Sequence, residues 1–102
     1  MIPKIDPIWN VSNPKIVQQK AYDIYGKNAQ ILRSKTKTKK YAIRDPNGKM
    51  VNFGSISAED YTKHRDEKRR DSYLKRSAGI KGKWRENPYS PNNLSRSLLW
   101  QK

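Results

Sequence analysis

The sequence predicts a small α+β protein. It reads as an antiparallel sheet with a β-hairpin at about 40–53, flanked by helices at about 14–25, 58–76 and 92–99, behind an extended Pro-rich N-terminal arm. Three observations predict this. Residue character alternates with a period of two between Ala29 and Phe53, Asp45-Pro46-Asn47-Gly48 interrupts that stretch with turn residues, and helix start and stop residues bracket the segments on either side.

The first residues alternate Pro with large apolar groups: Ile2, Pro3, Ile5, Pro7, Ile8 and Trp9. Proline blocks both a helix interior and a central strand, so the segment reads as an arm whose side chains are buried elsewhere, with another chain as a candidate partner. Asn13-Pro14 is a cap followed by the first helical position. Ile16, Val17, Ala21 and Ile24 then fall near one face, and Gly26 supplies a stop. In the alternating stretch Ile31, Arg33, Lys35, Lys37, Lys39, Tyr41 and Ile43 share one parity, with a break expected near Lys35 to Lys39. In the turn, Pro46 presets φ and Asn47-Gly48 accepts positive φ, joining strands at about 40–45 and 49–53.

Ser57 with Asp60 three residues on resembles a capping box, which starts the next helix at Ala58. Asp66 is placed to cap a second segment, so 58–76 is expected as two helical pieces or one bent helix, ended by Gly79 and Gly82. Asn87-Pro88-Tyr89-Ser90-Pro91 is a loop leading into a short helix through Leu94 and Leu98 to Trp100. Two units follow: 1–39 as arm, helix and basic strand, and 40–102 as a small basic α+β domain.

Composition narrows the function classes. The 102 residues are 33% apolar and carry 23 Lys and Arg against 9 Asp and Glu, a formal charge of +14. A chain of this size buries only roughly 60–65% of the surface its unfolded form exposes, and little of that is apolar here, so its own core is small. The absence of cysteine excludes a disulfide framework and Cys-ligated metal, and favours an intracellular or virion-interior setting. No apolar run exceeds three residues, as at Leu98-Leu99-Trp100, so no membrane span is expected, and the N-terminus lacks the apolar stretch of a signal peptide.

Catalysis is not expected. His64-Arg65-Asp66 matches the opening of a protein-kinase catalytic loop, yet Asp71 stands where that loop needs Asn, and no Gly-rich loop is present. His64 is the single histidine, so no His-rich metal site or Cys–His nucleophile can be built, and it reads as a surface or hydrogen-bonded structural residue. Asp60, Asp66 and Asp71 have basic neighbours three to five residues away, the spacing of ordinary intrahelical ion pairs. No cofactor or metal is expected.

Basic charge is the strongest signal. Arg33, Lys35, Lys37, Lys39, Lys40 and Arg44 form one basic stretch; Lys68, Arg69, Arg70, Lys75, Arg76, Lys81, Lys83 and Arg85 form another. Both can neutralise phosphates, with Tyr41, Tyr73 and Trp84 among them as stacking candidates, and both equally suit an acidic protein face. Phe53, Tyr61, Tyr73 and Trp84 also read as the small core, because few other residues are there to bury. Trp9 and Trp100, near the termini, are either folded back or inserted into a neighbour as anchors. The candidate partner-binding residues are Trp9, Lys35, Lys37, Lys39, Lys40, Arg69, Arg70, Tyr73, Trp84 and Trp100.

From Lys40-Tyr41 the chain runs through Asn47-Gly48-Lys49, Val51-Asn52-Phe53-Gly54, Asp60-Tyr61-Thr62-Lys63-His64, Asp66, Lys68-Arg69-Arg70, Tyr73 and Arg76 to Ser90-Pro91, Leu94-Ser95-Arg96 and Leu98-Leu99-Trp100. In that order these motifs resemble a family of short, basic, uncharacterised proteins of large DNA viruses of algae and protists, over residues about 40–100. The resemblance implies a viral setting and a shared small α+β fold, and no activity.

Two expectations follow. In the first, the protein is a minor capsid or internal virion protein on the inner side of the shell, made in the host cytoplasm. It would bridge the major capsid protein and other minor capsid proteins through its basic surface and extended termini; a lone molecule with both tails packed on its own core argues against it. The alternative is a nucleic-acid-binding protein, packaging viral DNA or serving a ribosome-like or transcription complex. That reading requires cations from both basic stretches to converge on one surface.

Overall fold

A computed structural model describes residues 2–101. Its centre is a three-stranded antiparallel sheet in the order β1-β2-β3, formed by β1 (Ile31–Arg33), β2 (Lys39–Arg44) and β3 (Met50–Ser55). Ile31 pairs with Ile43, Tyr41 with Phe53 and Ile43 with Val51. Helices surround the sheet, which makes the α+β fold expected from the sequence. The β2–β3 hairpin forms where the turn chemistry places it: the Asp45 carboxylate accepts the backbone N–H groups of Asn47 and Lys49, both at 2.9 Å, and Gly48 takes φ +84°.

The alternating stretch is not one long strand. Residues 34–38 form a turn in which the Ser34 hydroxyl accepts the Thr36 N–H at 3.0 Å, so Lys35 and Lys37 sit on an exposed loop. Strand β2 is covered on both faces: Tyr41 and Ile43 enter the main core, and Lys40 and Ala42, on the opposite pleat, are buried as well.

Helix α1 (Pro14–Tyr25) starts at its predicted cap, with Asn13 accepting from the N–H groups of Lys15 and Ile16, and stops at Gly26. Val17 and Ala21 are its core residues, whereas Ile24, placed on that face by its spacing, is 53% exposed. The next segment is two helices, α2 (Tyr61–His64) and α3 (Glu67–Ala78), separated by Arg65 in the left-handed region at φ 57°. The expected Ser57 capping box does not form. Asp60 itself is the cap of α2, accepting the Thr62 N–H at 3.0 Å, so the helix starts at Tyr61 instead of Ala58. Asp66 caps α3 through Lys68 and Arg69, and Gly79 ends it.

The C-terminal helix begins at Ser90-Pro91, but changes its hydrogen bonding part way. Helix α4 (Pro91–Ser95) passes into a π-helical turn at Arg96–Trp100, closed by the Gln101 N–H on the Arg96 carbonyl at 2.9 Å. Leu94, Leu98 and Leu99 are all buried there.

The N-terminal arm is not free. Pro7–Asn10 forms a 3-10 turn capped by Asp6, whose carboxylate accepts the Ile8 N–H at 2.9 Å and also binds the Arg33 guanidinium at 3.1 Å. Ile8 is fully buried and Ile2 nearly so, in one cluster with Val17, Tyr41, Phe53 and Leu98. The arm, read from its prolines as reaching elsewhere, therefore docks on this chain's own core: proline stopped it from being a helix without preventing its apolar side chains from packing. The core draws on residues either side of 39 and 40 alike. Among the described residues, no helix is long and apolar enough to cross a membrane.

Candidate functional site

On α3, Arg69, Tyr73 and Arg76 are spaced by four and three residues, which puts them on one helix face. That face looks across a groove of about 560 Å³ at the start of β2 and the end of β3. Lys39, Lys40, Gly54 and Ser55 line the sheet side; Glu59, Asn92, Ser95, Leu99 and Trp100 complete the walls.

Gly54 sits at a close approach. It holds φ +82°, and a Cβ there would lie 2.8 Å from Leu99 Cδ1 and 3.3 Å from Lys40 Cβ. The C-terminal turn can approach β3 only because this position has no side chain, and that approach sets Trp100 in the groove wall.

Charge within the groove is unevenly available. Lys40 Nζ lies 3.1 Å from the Asp60 carboxylate, with side chains 3% and 0% exposed, so its charge is spent internally. Burial lowers the Lys40 pKa, and the Asp60 carboxylate pulls it back up. Arg69 is half exposed and faces Glu59 at 3.6 Å, a loose surface pair. Lys39 and Arg76 are exposed. Among the described residues, three cations from β2 and from α3 therefore bring positive charge to one groove against a single carboxylate.

The aromatic wall is a row of contacts. Trp100 stacks on Tyr73 with centroids 4.2 Å apart at 11°, His64 lies 5.3 Å from Trp100, and the Arg76 guanidinium lies 5.7 Å from Tyr73. Burial raises the Tyr73 pKa, which keeps the phenol neutral. His64 Nδ1 accepts the Asp66 N–H at 2.9 Å, so it is the hydrogen-bonded structural residue its solitary occurrence suggested.

Of the ten candidate partner residues, Lys39, Lys40, Arg69, Tyr73 and Trp100 meet in this groove. The others lie elsewhere. Lys35 and Lys37 are on the 34–38 turn, and Arg70 pairs with Asp71 at 3.0 Å and lies over Tyr61. Trp84 is in a 3-10 turn with Arg85 and Arg96 against its ring. Trp9 folds back, its indole N–H donating to the Pro3 carbonyl at 3.0 Å. Tyr41, a stacking candidate, is fully buried in the core, as are Phe53 and nearly all of Tyr61; Tyr73 and Trp84 are only half-buried.

Glu59 and Arg76 lie in the groove beyond the ten candidates, and the four-and-three spacing of Arg69, Tyr73 and Arg76 is the sequence signal that finds Arg76. By spacing alone Asp60 reads as one of a set of intrahelical ion pairs. Asp60 instead pairs across the fold with Lys40, at a sequence separation that no local pattern reveals.

Residues 29–77, from just before β1 almost to the end of α3, match a family of unknown function (DUF5754). No curated protein and no solved structure gives a significant match to the chain.

Proposed function

We propose that the chain is a nucleic-acid-binding protein and that the groove between the sheet and α3 is its phosphate-binding surface. One observation carries the reading: Lys39 from the first basic stretch and Arg69 and Arg76 from the second converge on the same groove. Convergence of cations on one surface is what phosphate neutralisation needs, and a chain of charge +14 adds long-range attraction to any polyanion. Guanidinium groups suit the task because their planar fork can bind two phosphate oxygens at once.

A role in cementing a capsid through extended termini has less support. Ile2 and Ile8 in the N-terminal segment and Leu98 and Leu99 in the C-terminal turn are buried in this chain's own core, so neither of these segments is a free arm. The resemblance to proteins of large DNA viruses nonetheless makes duplex DNA the first ligand to try.

Fluorescence anisotropy with a labelled duplex, across a salt series, tests the reading. Affinity should fall steeply with salt, and neutralising Lys39, Arg69 and Arg76 together should flatten the log–log slope by about 2–3, near 0.9 for each phosphate no longer neutralised. An unchanged slope in the triple variant, with tight binding to an acidic protein instead, would overturn it.

A further inference from the structure

We infer that the groove takes the phosphodiester backbone of the nucleic acid and leaves the bases outside it, so that binding is independent of base identity and even of base presence. This rests on the nucleic-acid reading and specifies it.

The groups that could read a base are already engaged with this chain. Base stacking needs an open ring face, and it contributes about 1–3 kcal/mol per base where it has one. In the groove wall Trp100 is stacked against Tyr73 at 4.2 Å and has His64 at 5.3 Å, while Tyr73 also has Arg76 at 5.7 Å. Outside the groove Trp84 is held between contacts of the same kind, with Arg85 4.3 Å and Arg96 5.4 Å from its ring and its indole N–H on the Ile80 carbonyl. Each of these rings therefore already meets two partners within this chain, and a base would have to compete with them for ring surface.

Base-edge readout meets the same obstacle. An Asn amide can recognise adenine in bidentate fashion, but Asn92 already gives one of its two amide N–H groups to the Ser77 carbonyl at 3.1 Å, which fixes the amide's orientation. The Ser55 hydroxyl is bonded to Ser57 at 2.7 Å, and Ser95 is 93% buried against Tyr73. Lys39 and Arg76 are different. They are exposed, and among the described residues no hydrogen bond or ion pair engages their side-chain donors; Arg69 adds a third once Glu59 yields it. The stacked row gives Arg76 a planar platform, so less conformational freedom is lost when it engages a phosphate.

The deciding experiment compares an oligothymidine, a mixed-sequence strand and an abasic phosphodiester strand of equal phosphate count by anisotropy competition, while tryptophan emission is recorded. All three should bind within about threefold of one another and leave the emission unquenched, and replacing Lys39, Arg69 and Arg76 by Gln should weaken all three equally. Loss of about fivefold or more on the abasic strand, where the about 1–3 kcal/mol of even one stacked base begins, would overturn the backbone-only mode and leave nucleic-acid binding standing. Failure of every strand and of duplex to bind would overturn the parent reading and this inference with it.

Discussion

The Lys40 ammonium and the Asp60 carboxylate meet 3.1 Å apart inside the fold, with neither side chain more than 3% exposed. Asp60 also accepts the Thr62 N–H and the Thr62 hydroxyl. From Thr62 the network continues to Ser12 at 3.2 Å, and Ser12 accepts the Tyr41 hydroxyl at 2.6 Å. One chain of polar contacts thus ties the start of α1 and strand β2 to the cap of α2. Removing one partner of a buried pair leaves the other charge uncompensated, at a cost of roughly 3–5 kcal/mol. Lys40→Met and Asp60→Asn should each lose about that much in urea denaturation. The double variant should lose less than the sum by more than about 1 kcal/mol, because the second change removes the orphaned charge. Additive losses would mean that the two residues act separately.

Ile8 makes the docked N-terminus testable. Its side chain is fully buried in the shared core, so Ile8→Ala should cost the isolated monomer about 2–5 kcal/mol, in the usual range for a large-to-small core change. Ile5, 90% exposed in the same segment, is the control, and Ile5→Ala should stay within about 0.5 kcal/mol of the parent. If the arm instead served a neighbouring chain, both substitutions would leave the urea midpoint of the monomer unchanged.

The contrast between the hairpin and the arm explains what could be read from the sequence. Asp45-Pro46-Asn47-Gly48, Asn13-Pro14, Asp66 and Gly79 act on their immediate neighbours, so their chemistry is complete within four residues and places the turn and helix ends. Ile2 and Ile8 are buried by Val17, Tyr41 and Leu98, which come from distant parts of the chain, and no local pattern specifies that docking. The burial of Lys40 is hidden for a related reason. A period of two separates the faces of β2, but it does not say that both are covered. Half of the groove was legible, since Arg69, Tyr73 and Arg76 share a helical face. The placement of Trp100 against Tyr73 was not, because it depends on a π-helical turn and on the missing side chain of Gly54.

His64 should make stability depend on pH in mildly acidic solution. Partial burial, and after it the Arg69 guanidinium, hold its pKa below the ordinary 6.5, against an opposing pull from Asp60, Asp66 and Glu59. Nδ1 accepts the Asp66 N–H, so the neutral ring carries its proton on Nε2, which is buried without a hydrogen-bond partner. Between the lowered folded value and 6.5 the unfolded chain binds more protons than the folded one, so stability rises with pH through that window. It is lost as pH falls below 6.5 toward the folded value. Urea midpoints measured between about pH 5 and pH 8 should show this slope, and His64→Gln should flatten it, since no second histidine titrates there. An unaltered slope in the variant would assign it to carboxylates.

Gly54 and Gly48 separate backbone strain from close contact. Both have positive φ, +82° and +84°, but a Cβ at Gly48 would meet nothing within 4 Å, whereas at Gly54 it would press on Leu99 and Lys40. Gly48→Ala should therefore cost only the left-handed backbone penalty of about 1–2 kcal/mol. Gly54→Ala should cost at least about 1 kcal/mol more, because Leu99 is buried and has little room to give. Equal losses would show that the C-terminal turn does not depend on close approach to β3.

Among the described residues Glu59 is the one carboxylate lining the groove, and its position sets the sign of its effect on binding. It stands 3.6 Å from Arg69 with both side chains more than 40% exposed, so the pair contributes about 0–1 kcal/mol to stability. Glu59→Gln should leave the urea midpoint almost unchanged. The same change removes a negative charge that competes with phosphate for Arg69 and repels the backbone, so affinity for a duplex should rise by about two- to fivefold at low salt. The gain should shrink as salt screens the groove, and it should be smaller in an Arg69→Gln background, where only the repulsion of the backbone is relieved and no guanidinium is left to release. A Glu59→Gln variant that binds no tighter, or that gains equally without Arg69, would mean that nucleic acid does not engage this groove through Arg69.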